Sequence, residues 1–127
     1  MKKFLTSRAR SFRYAFEGWW HVIRTQKNAW IHAAISIAVI LVCLWLNIPP
    51  RDWAVIILAI ALVWSAEFLN TALEVIVDLI SPKHNNLAKI SKDVGAAAVM
   101  IAAAAAIIIG LLIMGLPLWE RVRESMN

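Results

Sequence analysis

The chain has 127 residues, 61% of them hydrophobic, with a mean hydropathy of +0.70. That is enough for one domain and too apolar for a soluble fold of this size. The net charge of +5 is unevenly spread, with seven of the 13 Lys and Arg in residues 1–27, which marks a membrane surface and argues against a nucleic-acid partner.

Residues 4–25 contain no long uncharged run, but Phe12, Phe16, Trp19 and Ile23 recur at helical spacing, with Arg10, Arg13, Glu17, His21 and Arg24 between them. This pattern predicts an amphipathic helix lying on the membrane surface. No cleavable signal peptide is expected, because the first apolar run begins only near residue 29.

Residues 29–47 are predicted to form the first transmembrane helix, ended by "IPP", since proline cannot continue the hydrogen-bond ladder. The single cysteine, Cys43, lies inside this run, has no intrachain disulfide partner and is assigned to packing. Residues 53–80 form the second span, ended by "SP". At 1.5 Å per residue it reaches about 42 Å, more than the roughly 30 Å hydrocarbon core, so its last turns are expected to project into the headgroup layer. Trp30, Trp45, Trp53 and Trp119 fall near span ends as interface anchors, whereas Trp64 lies inside the second span and is assigned to packing. Residues 81–93 read as a polar loop with a short helical turn near its end, and residues 94–119, alanine-rich and uncharged, as the third span. The basic residues on either side place the N-terminus and the 79–93 loop in the cytoplasm. The fold class is therefore all-α: one membrane domain over residues 1–127, with three transmembrane helices after an N-terminal surface helix.

The second span carries an anomaly. Glu67, Asn70, Glu74 and Asp78 fall within about 80° of helical arc, with Thr71 at the edge. Glu67 and Asn70 are expected just inside the membrane boundary, Glu74 and Asp78 just beyond it. Acids inside a span are costly and mark a functional interior. Such a stripe can hold a divalent cation through oxygen ligands and can take a proton from a lipid hydroxyl. Phosphoryl transfer needs both. Lys92 and Asp93, expected on the facing loop, would add phosphate and metal contacts. There is no P-loop and no kinase Gly-rich loop. Helix-end solvation of Glu74 and Asp78 is the plain alternative; a small ion-pathway subunit using the acidic stripe is another.

"AEFLNTALEVIVDLIS" followed by "LAKISKDVGAAAV" resembles the integral-membrane prokaryotic diacylglycerol kinase/undecaprenol kinase family, whose signature has the form E-x-x-N-S/T-A-x-E-x-x-x-D, then A-K-x-x-K-D. "SFRYAFEG" is similar to the family's N-terminal region, and the likeness covers roughly residues 8–115. The resemblance implies a homotrimer in a bacterial cytoplasmic membrane, with sites between neighbouring chains, ATP as phosphoryl donor, Mg²⁺ as cofactor and a membrane lipid alcohol as acceptor. It also implies Glu67 as catalytic base supported by Asn70, Glu74 as magnesium ligand, Asp78, Lys92 and Asp93 lining the nucleotide site with Glu74, and Tyr14 against the adenine.

The chain departs from the family at "QKNAWIH", where the usual pattern is E-x-N-x-R-I-H. Gln26 takes the position of a metal-binding glutamate and Trp30 that of the arginine. Glutamine offers a carbonyl oxygen without charge, which leaves a catalytically weak, kinase-like scaffold as an alternative. His32 fits the end of the pattern and reads equally as a packing or a headgroup contact. In the 81–93 loop, where the family often has "YH", this chain has His84 and Asn85, and no role is carried over to His84. The form of "SFRYAFEG" and "LAKISKD" favours undecaprenol over diacylglycerol.

Overall fold

The computed structural model describes residues 2–83 and 85–126, with side chains from residue 10 onward. Its four helices are α1 (Lys2–Thr25), α2 (Lys27–Leu46), α3 (Pro50–Ile80) and α4 (Asn86–Ser125), and no strand occurs among the described residues. Helices α2, α3 and α4 are each long and apolar enough to cross a membrane. The chain is thus an all-α, multi-pass membrane protein with a further helix at its N-terminus.

Local chemistry sets each boundary. Gln26 alone separates α1 from α2; its backbone is extended, with φ −98° and ψ 115°. The Gln26 side chain makes no capping hydrogen bond to α2. At the other end of α2, Asn47 adopts the left-handed conformation with φ 50°, which asparagine tolerates better than most residues. Its N–H donates to the Leu44 carbonyl, and the N–H of Ile48 to that of Cys43. The reversal thus begins at Asn47, before the prolines; Pro49 and Pro50 instead start α3, where a missing N–H costs nothing.

The stretch 81–93 differs from the expected loop. Only residues 81–85 connect α3 to α4, and His84 lies outside the described residues. Asn85 caps α4, its side-chain oxygen accepting from the Leu87 N–H at 2.8 Å. Lys89, Lys92 and Asp93 therefore lie on a helix and not on a loop. At its far end α4 continues through Pro117 to Ser125, beyond the expected end at residue 119. Membrane helices tolerate proline because neighbouring groups and local adjustment satisfy the freed backbone carbonyl.

Helix α3 is central. A third of its most apolar stretch is buried within the chain, 33% against 17% for α2 and α4. It packs most extensively on α4, where Gly95 lets the backbones approach closely and Val99 and Ala102 are buried. A small apolar core of Cys43, Leu46, Ile48 and Ile56 closes the end of the bundle near the 47–49 turn. There the Arg121 guanidinium reaches the Trp45 carbonyl at 3.5 Å and lies over its ring. At the opposite end α1 docks on α3. Trp19 stacks on Trp64 with ring centroids 5.8 Å apart, and the Trp64 indole N–H donates to Ser36 Oγ of α2 at 3.3 Å. Trp64 thereby joins three helices. Val22 is buried, whereas Phe12 and Phe16 are exposed, so that part of the predicted apolar stripe of α1 faces away from the rest of the chain. That is the arrangement a surface helix needs.

Candidate active site

Glu67, Asn70 and Glu74 of the α3 stripe form one wall of a cavity of about 240 Å³ between α2, α3 and α4, whereas Asp78 and Lys92 lie outside its lining. Its polar lining is Gln26, Asn28, His32, Glu67, Asn70 and Glu74, and Val99 and Met100 of α4 form part of its apolar side. Glu67 is the deepest group, with 1% of its surface exposed. An ionised carboxylate at such a site is costly unless partners surround it. The nearest is His32 on α2, whose Nε2 lies 3.7 Å from Glu67 Oε2. That is beyond hydrogen-bond distance. His32 Nε2, Glu67 Oε2 and Asn70 Oδ1 are all buried polar atoms without a hydrogen-bond partner. Asn70 Oδ1 lies against Gly95 of α4, whereas His32 Nε2 and Glu67 Oε2 face each other from two walls and mark a place built for something polar that is not part of the chain.

One helical turn further, Glu74 is held from two sides. Asn70 Nδ2 donates to its Oε1 at 2.9 Å, and Gln26 Nε2 donates to its Oε2 at 3.3 Å. The side chain of Gln26, which caps nothing on α2, thus reaches α3. Another turn on, Asp78 pairs with Lys92 of α4, Nζ to Oδ1 at 2.5 Å, in a more open position. Asp78 is exposed and Lys92 partly so. The stripe therefore runs from a dry carboxylate at Glu67 to a wet ion pair at Asp78.

Not every residue expected at the site lies there. Asp93 points to Lys89 on its own helix, at 2.6 Å, and both are exposed. The Tyr14 ring is exposed and lies under the Arg13 guanidinium, 5.3 Å from centroid to Cζ, and does not line the 240 Å³ cavity. Thr71, at the edge of the stripe, donates to the Glu67 carbonyl at 2.9 Å, so its hydroxyl is already engaged. His32 faces Glu67, a placement that its position in the sequence does not reveal. Gly95 is a second unforeseen participant. A Cβ built on it would collide with Asn70 Oδ1 and lie 3.4 Å from Leu73 Cδ2. Only glycine lets α4 pass so close to the Asn70 amide.

Among the described residues no three His, Cys, Asp or Glu side chains converge as a metal cage. The donors around Glu74 nevertheless suit a hard cation shared with phosphates. Magnesium typically takes one or two carboxylates and completes its shell with water and phosphate oxygens. Glu74 supplies the charge, and rotating the Gln26 or Asn70 carboxamide by half a turn would present an oxygen in place of an N–H.

A second cavity, of about 450 Å³, adjoins the first and shares Ile31, His32 and Ala103 with it. Its lining runs along the three spans through Ile35, Val39, Val63 and Ile107 and is apolar apart from His32 and Ser36. A buried acid thus sits at the head of an apolar groove, and a charged pair sits toward water. Such a site is laid out for a group transfer between an amphiphile and a charged, water-soluble partner.

The profile of the family described as "Prokaryotic diacylglycerol kinase" matches residues 13–114, and the chain belongs to that family. Among curated proteins it is similar to an undecaprenol kinase of Bacillus subtilis (strain 168), with 43% identity over 104 residues, covering 82% of this chain and 85% of that protein. It is 45% identical over 101 residues to a diacylglycerol kinase of Synechocystis sp., covering 79% of this chain and 58% of that protein. A diacylglycerol kinase of Escherichia coli (strain K12) is 34% identical over 90 residues, covering 65% of this chain and 73% of that protein.

Proposed function

We propose that the chain is a lipid kinase that transfers the γ-phosphate of ATP, with Mg²⁺, to the hydroxyl of a membrane lipid at the cytoplasmic surface. Undecaprenol is the favoured acceptor and diacylglycerol the runner-up. The observation that carries this reading is the buried Glu67, with a free carboxylate oxygen in a polar cavity that continues into an apolar groove. A soluble substrate would not need the groove, and an ion path would not need it closed by isoleucine and valine. The similarity to the Bacillus subtilis protein favours undecaprenol.

The residues divide the work by depth. Glu67 Oε2 accepts the proton of the lipid hydroxyl as its oxygen attacks the γ-phosphorus. Asn70 holds Glu74 in place through its Nδ2. Glu74, with Gln26 and the phosphates, would hold Mg²⁺, which when bound neutralises phosphate charge. Lys92, released from Asp78, steadies the phosphates at the wet end. Catalysis then comes chiefly from positioning and charge neutralisation. Tyr14, Asp78, Lys92 and Asp93 do not line the cavity within one chain, and of these Tyr14 and Asp93 lie turned away from it. Their assigned contacts with the nucleotide are therefore proposed to form in a homotrimer, across the boundary between neighbouring chains. The N-terminus and the 81–85 turn are placed on the cytoplasmic side of the bacterial inner membrane, where ATP is found.

The test is transfer of labelled γ-phosphate from ATP by the purified protein in mixed micelles, with undecaprenol and diacylglycerol offered separately. Labelled undecaprenyl phosphate is the expected product. Label on diacylglycerol alone would reverse the choice of acceptor, and label on neither, with folded protein and Mg²⁺ present, would overturn the kinase reading.

A further inference from the structure

Glu67 is not the only group in the cavity with a free polar atom. His32, on a different helix, presents Nε2 from the facing wall, its side chain 14% exposed. Nε2 has no partner, although the closest carboxylate oxygen is only 3.7 Å away. This separation is too long for a direct hydrogen bond. It suits a single oxygen atom placed about 2.8 Å from each. His32 also lines the apolar groove, so an oxygen bridging the pair would lie where that groove meets the acid.

We propose that His32 is a second substrate-binding residue of the phosphoryl transfer, donating its Nε2–H to the oxygen of the lipid alcohol whose proton Glu67 Oε2 accepts. This rests on the kinase reading above and adds to it a clamp on the acceptor oxygen, made by two side chains from two helices. The atoms balance without a further reactant. The alcohol O–H bond breaks, with its proton going to Glu67. An oxygen lone pair forms the new bond to the γ-phosphorus, and the bond from that phosphorus to the β-bridging oxygen breaks, its electron pair leaving on ADP. His32 keeps its proton throughout; it fixes the direction of the lone pair that attacks. The clamp also gives the site a means of choosing an alcohol over an apolar chain end, because a chain without the hydroxyl leaves both buried groups unpaired.

Two variants of nearly equal length separate the donor from the packing. His32→Met removes the N–H and fills the space; His32→Gln restores an N–H at similar reach. Full-length protein in mixed micelles is assayed with undecaprenol at varied lipid and varied ATP. The expected result is a fall in kcat/KM for lipid of about 10- to 100-fold in His32→Met, with KM for ATP changed less than about twofold, and recovery in His32→Gln to within about fivefold of wild type. Wild-type rates in His32→Met, or a loss in His32→Gln as deep as in His32→Met, would overturn the proposal. If His32→Met loses its thermal unfolding transition, His32→Gln alone decides, and a rate near that of Glu67→Gln overturns it. Failure of this inference is distinct from failure of the kinase reading. In the first case wild type labels lipid, Glu67→Gln does not, and His32→Met matches wild type. In the second, wild type labels no lipid.

Discussion

Replacing Gly95 with alanine adds one methyl group, and the structure says where it goes. The new Cβ collides with Asn70 Oδ1 and touches Asn70 Cγ and Leu73 Cδ2, each at 3.4 Å. The Leu73 contact is ordinary van der Waals distance, so the amide must move. Turning Asn70 aside breaks its 2.9 Å hydrogen bond to Glu74 Oε1. A hydrogen bond to a charged acceptor contributes about 1.5–3 kcal/mol. Against this, alanine in place of glycine inside a helix gains about 1 kcal/mol. Net stability should therefore fall by only about 0.5–2 kcal/mol. Activity has no such compensation: with Glu74 released from Asn70, the same 1.5–3 kcal/mol corresponds to a loss of roughly 10- to 150-fold in kcat/KM. The control is Gly115→Ala on the same helix, where nothing lies within 4 Å of the added methyl. Both variants are compared by lipid phosphorylation in mixed micelles and by thermal unfolding in the same detergent. Wild-type turnover in Gly95→Ala, or equal turnover losses in the two variants, would refute the claim that close packing of α4 fixes Asn70 in the site.

Two further perturbations probe the wet end of the stripe. Gln26→Glu brings a second carboxylate beside Glu74, where the present contact is 3.3 Å. Repulsion between them is worth about 1–4 kcal/mol without a cation, so its thermal unfolding should fall in chelator and rise with added Mg²⁺ more steeply than that of wild type; identical Mg²⁺ dependence would place the cation elsewhere. Lys92→Met removes an exposed ion pair with Asp78, which should cost at most about 1 kcal/mol of stability. It should nevertheless raise KM for ATP about tenfold or more, and an unchanged KM for ATP would reduce Lys92 to a surface charge.

The three spans were legible because lipid imposes a blunt requirement: long uncharged runs. The clustering of Glu67, Asn70 and Glu74 was legible because helical arc depends only on spacing, and all three do line one cavity. The start of α4 lies at Asn86, inside the stretch expected as a loop with a short helical turn. Residues 86–93 carry three charges, Lys89, Lys92 and Asp93, which hide a short apolar stripe of Leu87, Ile90 and Val94 at helical spacing. Asn85 as an N-cap was the available signal. The partnership of His32 with Glu67 was beyond reach, because residues 35 apart in the sequence meet only once the rotation of α2 against α3 is known. Gly95 shows the same limit. A glycine next to an alanine run announces close packing, but the atom it spares, Asn70 Oδ1, belongs to another helix.

In the proposed mechanism the buried carboxylate of Glu67 takes the proton of a lipid alcohol. The most direct measurement is single-turnover transfer of γ-phosphate from ATP to undecaprenol by wild type and Glu67→Gln, both folded by thermal unfolding and equal in ATP binding. Glutamine keeps the shape and loses the base, so a fall of at least about 100-fold in the transfer step is expected, with ATP affinity unchanged. A transfer rate within a fewfold of wild type would contradict the claim and move the base to another group in the cavity.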